Sequence, residues 1–211
     1  MCIRDRIYAA SKAPMVFVDS YSNMRRICSV GIDDYRGGRL AARCLAEHGH
    51  TRLAFAGPAQ HATGVIQQRL AGFMDELAAR GLTLEPEHRI VVESDSDPHA
   101  ICAATDALCA MAGSITGVFV TSDQLAMGLM GALAERGYSI PRDLSVVGFD
   151  NIPVSGQIYP PLTTIGQYLE QKATLAIEIL QRQIEGRDTP AEMRVLDVEL
   201  VERATVSAPR T

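Results

Sequence analysis

Three apolar runs in this 211-residue chain end on side chains that can hold a polar molecule. "MVFV" (15–18) ends on Asp19, "VFV" (118–120) on Thr121-Ser122-Asp123, and "SVVGF" (145–149) on Asp150-Asn151. Carboxylates and hydroxyls at such points can cap a following helix, a role Ser and Asp fill well. They can also accept hydrogen bonds from a bound ligand. Ser122 suits capping. At Asp150 the next residues, Ile152-Pro153, make a poor regular helix start, so both roles stay open there.

Reaction signatures are missing. The sequence has no G-x-x-x-x-G-K-[ST] phosphate loop, no G-x-G-x-x-G after a strand and no G-x-S-x-G nucleophile elbow. The carboxylate pairs Asp33-Asp34 and Asp95/Asp97 are neighbours in sequence, a pattern typical of solvated loops. Five cysteines form no C-x-x-C pair, which suits a reducing cytosol better than a disulfide framework. Cys102 and Cys109 read as small core residues on one helical face. His48 and His50 flank Gly49 at a helix end, and nothing matches H-E-x-x-H. The expectation is no enzyme, no cofactor and no metal.

The elements that must position these side chains alternate. Strands are read over 15–19, 28–32, 52–57, 89–93, 117–122 and 145–149. Helices are read over about 33–48, 65–80, 98–111, 123–137 and 168–185, with Gly49, Gly81 and Gly137 as stops. Strands separated by helices make β-α-β units and a parallel sheet. Runs such as "VFV" and "SVVGF" are continuously apolar, as strands covered on both faces should be. In such sheets ligands bind beyond the carboxyl ends of the strands, where Asp19, Ser122 and Asp150 lie. The net charge of −5 argues against a nucleic-acid surface on these residues. No apolar run reaches membrane-spanning length, and the start, "MCIRDRIYAASKAP", lacks the apolar stretch of a secretory signal. Composition and pattern lead to an α/β ligand-binding fold and no further.

The block "VTSDQLAMGLMGALAERGYSIPRDLSVVGFDNIPVSGQIYPPLTTIGQ" (120–167) resembles the effector-binding core of lactose- and galactose-repressor-type (LacI/GalR family) transcription regulators. "VGIDDYRGGRLAARCLAEHGHTRLAFAGP" (30–58) and "QQRLAGFMDEL" (67–77) are similar to the same family in the same order. The resemblance covers about residues 13 to 204. It implies a periplasmic-binding-protein-like pair of α/β lobes joined by three crossovers, with a ligand clamped between them. Arg69 matches the arginine that holds effector oxygens, Asp150 the effector-contacting aspartate, and Asp19 the aspartate ending a cleft strand. Ser122 and Gln124 fall at the cleft rim. Asp95 lies near where purine-binding members place a stacking aromatic, which leans the ligand toward a sugar, polyol or sugar acid rather than a nucleobase. A guanidinium and carboxylates together can bridge neighbouring hydroxyls.

The same resemblance implies a cytoplasmic transcriptional regulator, a repressor, that works as a homodimer. Operator DNA would be bound through an upstream headpiece, and no membrane is involved. The alternative is a periplasmic sugar-binding protein of an import system. Against the family pattern, residues 1–12 read as a foreign or remnant leader and the N-terminal lobe as incomplete. The expected division puts 13–32 and 163–190 in that partial lobe, 33–162 and 191–205 in the C-terminal lobe, and 206–211 in a tail. "YPPLTT" (159–164), stiffened by two prolines, is expected to be a crossover strand. The helix at 123–137 is apolar almost all round, which predicts burial or cover by a second subunit. Leu169, Ala173, Ala176, Ile177, Leu180 and Ile184 should lie on one apolar face of the helix at 168–185, left exposed by the incomplete lobe.

Overall fold

The computed structural model describes residues 13–19, 28–58, 64–187 and 190–210. The leader expected over 1–12 lies outside them. Two sheets divide the strands. β1 (Val16–Val18), β2 (Cys28–Ile32) and β8 (Met193–Leu196) form a parallel three-stranded sheet in the order β1-β2-β8. The other six strands are β3 (Leu53–Gly57), β4 (Arg89–Val91), β5 (Gly117–Val120), β6 (Ser145–Asp150), β7 (Thr163–Gln167) and β9 (Val198–Val201). They run in the order β4-β3-β5-β6-β7-β9, parallel except for β9 against β7. Among the described residues the chain therefore switches sheets three times, after β2, after β7 and after β8.

Helices cover the large sheet on both faces because its strands are apolar on both. On β5, Val118 and Val120 point to one side. There they pack with Leu125, Leu129 and Leu133 of α4 (Asp123–Glu135) and Leu108 of α3 (Pro98–Ala110). Phe119 points to the other side, toward α1 (Asp34–Glu47) and α2 (Val65–Ala79). It meets Phe73, Phe55 and Phe149, with ring centroids 5.3, 5.5 and 6.4 Å away. This ring cluster is the floor on which α2, and so Arg69, is seated. The small sheet is covered on one side by α5 (Leu169–Ile184), through Leu175, Ala176 and Ile179. Leu169, Ile177 and Ile184 of this helix are each more than half exposed, whereas Ala176, expected on the same face, packs inward; on β8, Met193 and Val195 are also more than half exposed.

Four sequence expectations need correction. Strand 163–167 belongs to the six-stranded sheet and strand 193–196 to the three-stranded one, the reverse of the expected division. "YPP" is accordingly no crossover. It leads into β7, whose ladder begins at Thr163, and the chain leaves this sheet after Gln167. Prolines have no N–H to give a ladder, so they sit ahead of the paired residues. The segment set apart as a tail is docked: Ser207 accepts from His50 and donates its N–H to Ser145 Oγ, and Arg210 pairs with Asp143. Cys102 is exposed rather than core. The apolarity of α4 is also largely used within the chain, since α3 lies over it and Ile101 sits against Gly128.

Candidate functional site

The ends of β5 and β6 meet the start of α1 and the first turns of α2. Arg69 projects from α2 and is 7% exposed. Its Nε donates to Asp34 Oδ1 at 2.8 Å and its Nη1 to the carbonyl oxygen of Thr121. The guanidinium carbon lies 3.4 Å from the centre of the Phe149 ring, a cation–π stack that fixes the plane of the fork. Asp34 is buried in the first turn of α1, just after Asp33, whose side chain caps that helix by accepting from the Arg36 N–H. The sequence reading placed Asp33-Asp34 on a solvated loop. Asp34 instead anchors the arginine, and no local signal marked it because its partner is 35 residues away.

Asp150 ends β6 with φ 118°, followed by Asn151 at φ 56°. Positive φ at two consecutive non-glycine residues is strained backbone. It persists only where surrounding contacts impose it. Here buried Asp123 accepts the Ile152 N–H at 3.0 Å and the Thr164 hydroxyl, while Arg203 holds the Asn151 side chain at 2.6 Å. The resulting turn carries the Asp150 carboxylate to 4.0 Å from Arg69 Nη1, with 24% of its side chain exposed. A cavity of about 500 Å³ opens beside Asp150, Asn151, Gly166 and Gln167 and is bounded across by Tyr168, Glu170 and Glu199. That size is in the range of small-molecule sites.

From Asp150 the polar chain continues toward the small sheet. Gln167 Nε2 donates to Asp150 Oδ1 at 2.7 Å, and its Oε1 accepts from Lys172. Lys172, only 2% exposed, donates also to Asp19 Oδ2 at 2.6 Å. Asp19 itself has φ 50°, another strained strand end. Asp19, Lys172, Gln167, Asp150, Arg69 and Asp34 thus form one connected series across both sheets. Gln167 and Lys172 were not anticipated from sequence; a lysine on an amphipathic helix reads as surface, and only the fold buries it. The series does not include Ser122 or Gln124. Ser122 caps α4, its Oγ accepting from Leu125 N–H at 3.2 Å, and Gln124 is exposed.

Burial pushes the Asp150 carboxyl up to about 6; the Arg69 charge pulls the other way, and the Asp123 carboxylate adds to the rise. A raised acid gives stability that is present below its unfolded value, near 3.9, and is lost as pH climbs through about 6. Asp150→Asn is therefore expected to raise stability at pH 7.5 by an amount on the order of 2 kcal/mol, and the melting temperature with it. The gain should vanish near pH 4. Thermal denaturation of both proteins between pH 4 and 8 checks this, and a gain that does not change with pH would refute it.

A family described as "Periplasmic binding protein-like domain" matches residues 42–206. A LacI family transcriptional regulator from Mycobacterium smegmatis is 31% identical, with a TM-score of 0.83 over 98% of this chain and 76% of that one. The chain belongs to the LacI family. A LacI family regulator from Enterococcus faecium, solved with bound ribose, is 29% identical with a TM-score of 0.82, over 92% of this chain and 71% of that one. The HTH-type transcriptional repressor PurR of Vibrio cholerae is 30% identical over 204 residues, which is 97% of this chain and 60% of the repressor. This LacI-family chain thus spans about 60% of the length of that curated relative. The α/β, periplasmic-binding-protein-like fold read from the sequence agrees with these matches. Among the described residues no helix is long and apolar enough to cross a membrane.

Proposed function

We propose that these residues are the ligand-sensing domain of a LacI-family transcriptional repressor, and that the ligand is a sugar, polyol or sugar acid. One observation carries the reading: Arg69 and Asp150 stand 4.0 Å apart, and Asp150 borders an open cavity. A fixed guanidinium beside a carboxylate supplies donors and acceptors at the spacing of neighbouring hydroxyls. The series through Gln167 and Lys172 to Asp19 gives that site a polar link to the three-stranded sheet, which corresponds to part of the N-terminal lobe. Ligand that favours one arrangement of the two sheets would shift the equilibrium between them, with a coupling of about 1–3 kcal/mol. In the whole protein that shift would reach operator DNA through a separate headpiece. The whole protein would act in the cytoplasm as a homodimer. The dimer rests on family membership, because α4 buries most of its apolar side chains within its own chain.

Calorimetry against pentoses, hexoses, disaccharides, sugar acids and purine bases tests the ligand class. One or more hydroxylated ligands should bind with one site per chain and purines should not. Purine binding with no response to any sugar would reverse the class, and silence across the panel would remove the sensing role.

A further inference from the structure

A second cluster of ligand-type side chains lies away from the cleft, at the other end of α1. We infer that Cys44, His48 and Glu202 bind one divalent cation of the zinc type. Cys44 and His48 are one helical turn apart and so share a face. Glu202 follows β9 and comes from 158 residues away. Each of the three offers a ligand atom, and these atoms all lie within 4.8 Å of one another. Cys44 Sγ and Glu202 Oε1 are 4.0 Å apart. Around a tetrahedral zinc with bonds of about 2.0–2.3 Å, ligand atoms sit about 3.3–3.8 Å from each other. Closing the cluster onto a cation thus takes only small side-chain rotations, and Glu202 is exposed and free to make them.

The surroundings suit that role. His48 Nδ1 lies 2.8 Å from the Cys44 carbonyl oxygen. A carbonyl only accepts, so Nδ1 carries the proton and the lone pair falls on Nε2. A ring nitrogen held by a carbonyl is the usual support of a metal-binding imidazole. The Glu202 carboxylate beside the thiol and the nearby Glu47 carboxylate attract a divalent ion, and the bond to sulfur would form as the thiol proton leaves to solvent. Sulfur and imidazole donors favour zinc-type ions over magnesium or calcium, which take oxygen. Three protein ligands leave a fourth position for water. A bound ion would tie the last turn of α1 to the strand that ends the large sheet. In the sequence Cys44 and His48 show no third ligand nearby in the chain, which is why the expectation there was of no metal.

Cobalt(II) reads the site directly. Reduced, chelator-treated protein titrated with cobalt(II) should take up one ion per chain, with a thiolate-to-cobalt charge-transfer band and d–d bands of tetrahedral intensity. Zinc(II) should displace it. Cys44→Ser should abolish the charge-transfer band, and the combined Cys2→Ser, Cys102→Ser and Cys109→Ser variant should keep it. Glu202→Gln, an exposed change that leaves the core alone, should weaken zinc binding by roughly tenfold or more. Absence of the thiolate band in the starting protein, its survival in Cys44→Ser, or unchanged zinc affinity in Glu202→Gln would each overturn the site.

Discussion

Alanine at Gly38 or Gly72 is expected to cost about 3 kcal/mol of stability, the upper part of the range for overpacked cores. In a chain of this size that is a fall in melting temperature of roughly 6–12 °C. Gly38 of α1 and Gly72 of α2 face each other across a helix pair packed backbone to backbone. A Cβ at 38 would overlap the carbonyl oxygen of Arg69, and one at 72 the carbonyl oxygen of Tyr35. Backbone cannot swing aside as a side-chain tip can, so the helices must separate. Alanine is worth about 1 kcal/mol more than glycine inside a helix, and the overlap outweighs that. Gly131, on the exposed side of α4, would have no described atom within 4 Å of an added Cβ and supplies the control. Gly131→Ala should be neutral or slightly stabilising. Urea and thermal melts of the three variants decide the matter, and equal behaviour at 38, 72 and 131 would show that the close helix contact is not what holds this pair. Because Gly38 touches the backbone of Arg69 itself, Gly38→Ala should also displace the guanidinium and weaken ligand binding.

Removing the guanidinium has the largest expected effect on ligand affinity. On the proposed site, Arg69→Ala deletes donors to the ligand, and it breaks the buried ion pair with Asp34. The first loss is worth about 1.5–3 kcal/mol, or roughly ten- to 150-fold in affinity. The second destabilises the fold by an amount on the order of 3 kcal/mol, the cost of breaking a buried ion pair. Arg69→Lys separates the two. A lysine keeps a positive charge near Asp34 but cannot hold the planar fork stacked on Phe149. It should retain more of the stability while still losing tenfold or more in affinity. Asp150→Asn supplies the complementary signature, weaker ligand binding with a gain in stability at neutral pH. Opposite signs in stability and equal signs in affinity are hard to produce unless both groups serve the ligand. Calorimetry with the best ligand of the panel, beside melts of each variant, reads both quantities. Undiminished affinity in Arg69→Lys and Asp150→Asn would remove these residues from the site.

Much of this architecture can be read along the chain. Apolar runs fixed where strands lie, since "VFV" with no polar alternation already required cover on both faces of β5. Glycines at 49, 81 and 137 marked helix stops, and each has the positive φ that favours glycine. Strand ends on Asp19 and Asp150 marked where a ligand could sit. All of these depend on periods of two to four residues and on the conformational limits of single residue types, which are local and present in the sequence itself.

Pairings are a different matter. Asp34 meets Arg69 over 35 residues, Lys172 meets Asp19 over 153, and Glu202 meets Cys44 over 158. Strand 163–167 could serve either sheet by its composition, and hydrogen bonding to both β6 and β9 assigns it to the large one. Whether a charged side chain is a solvated surface group or a buried anchor depends on which distant element covers it. Lys172 and Asp34 show that local pattern cannot supply this, because the energy that buries them comes from closure of the whole fold around them.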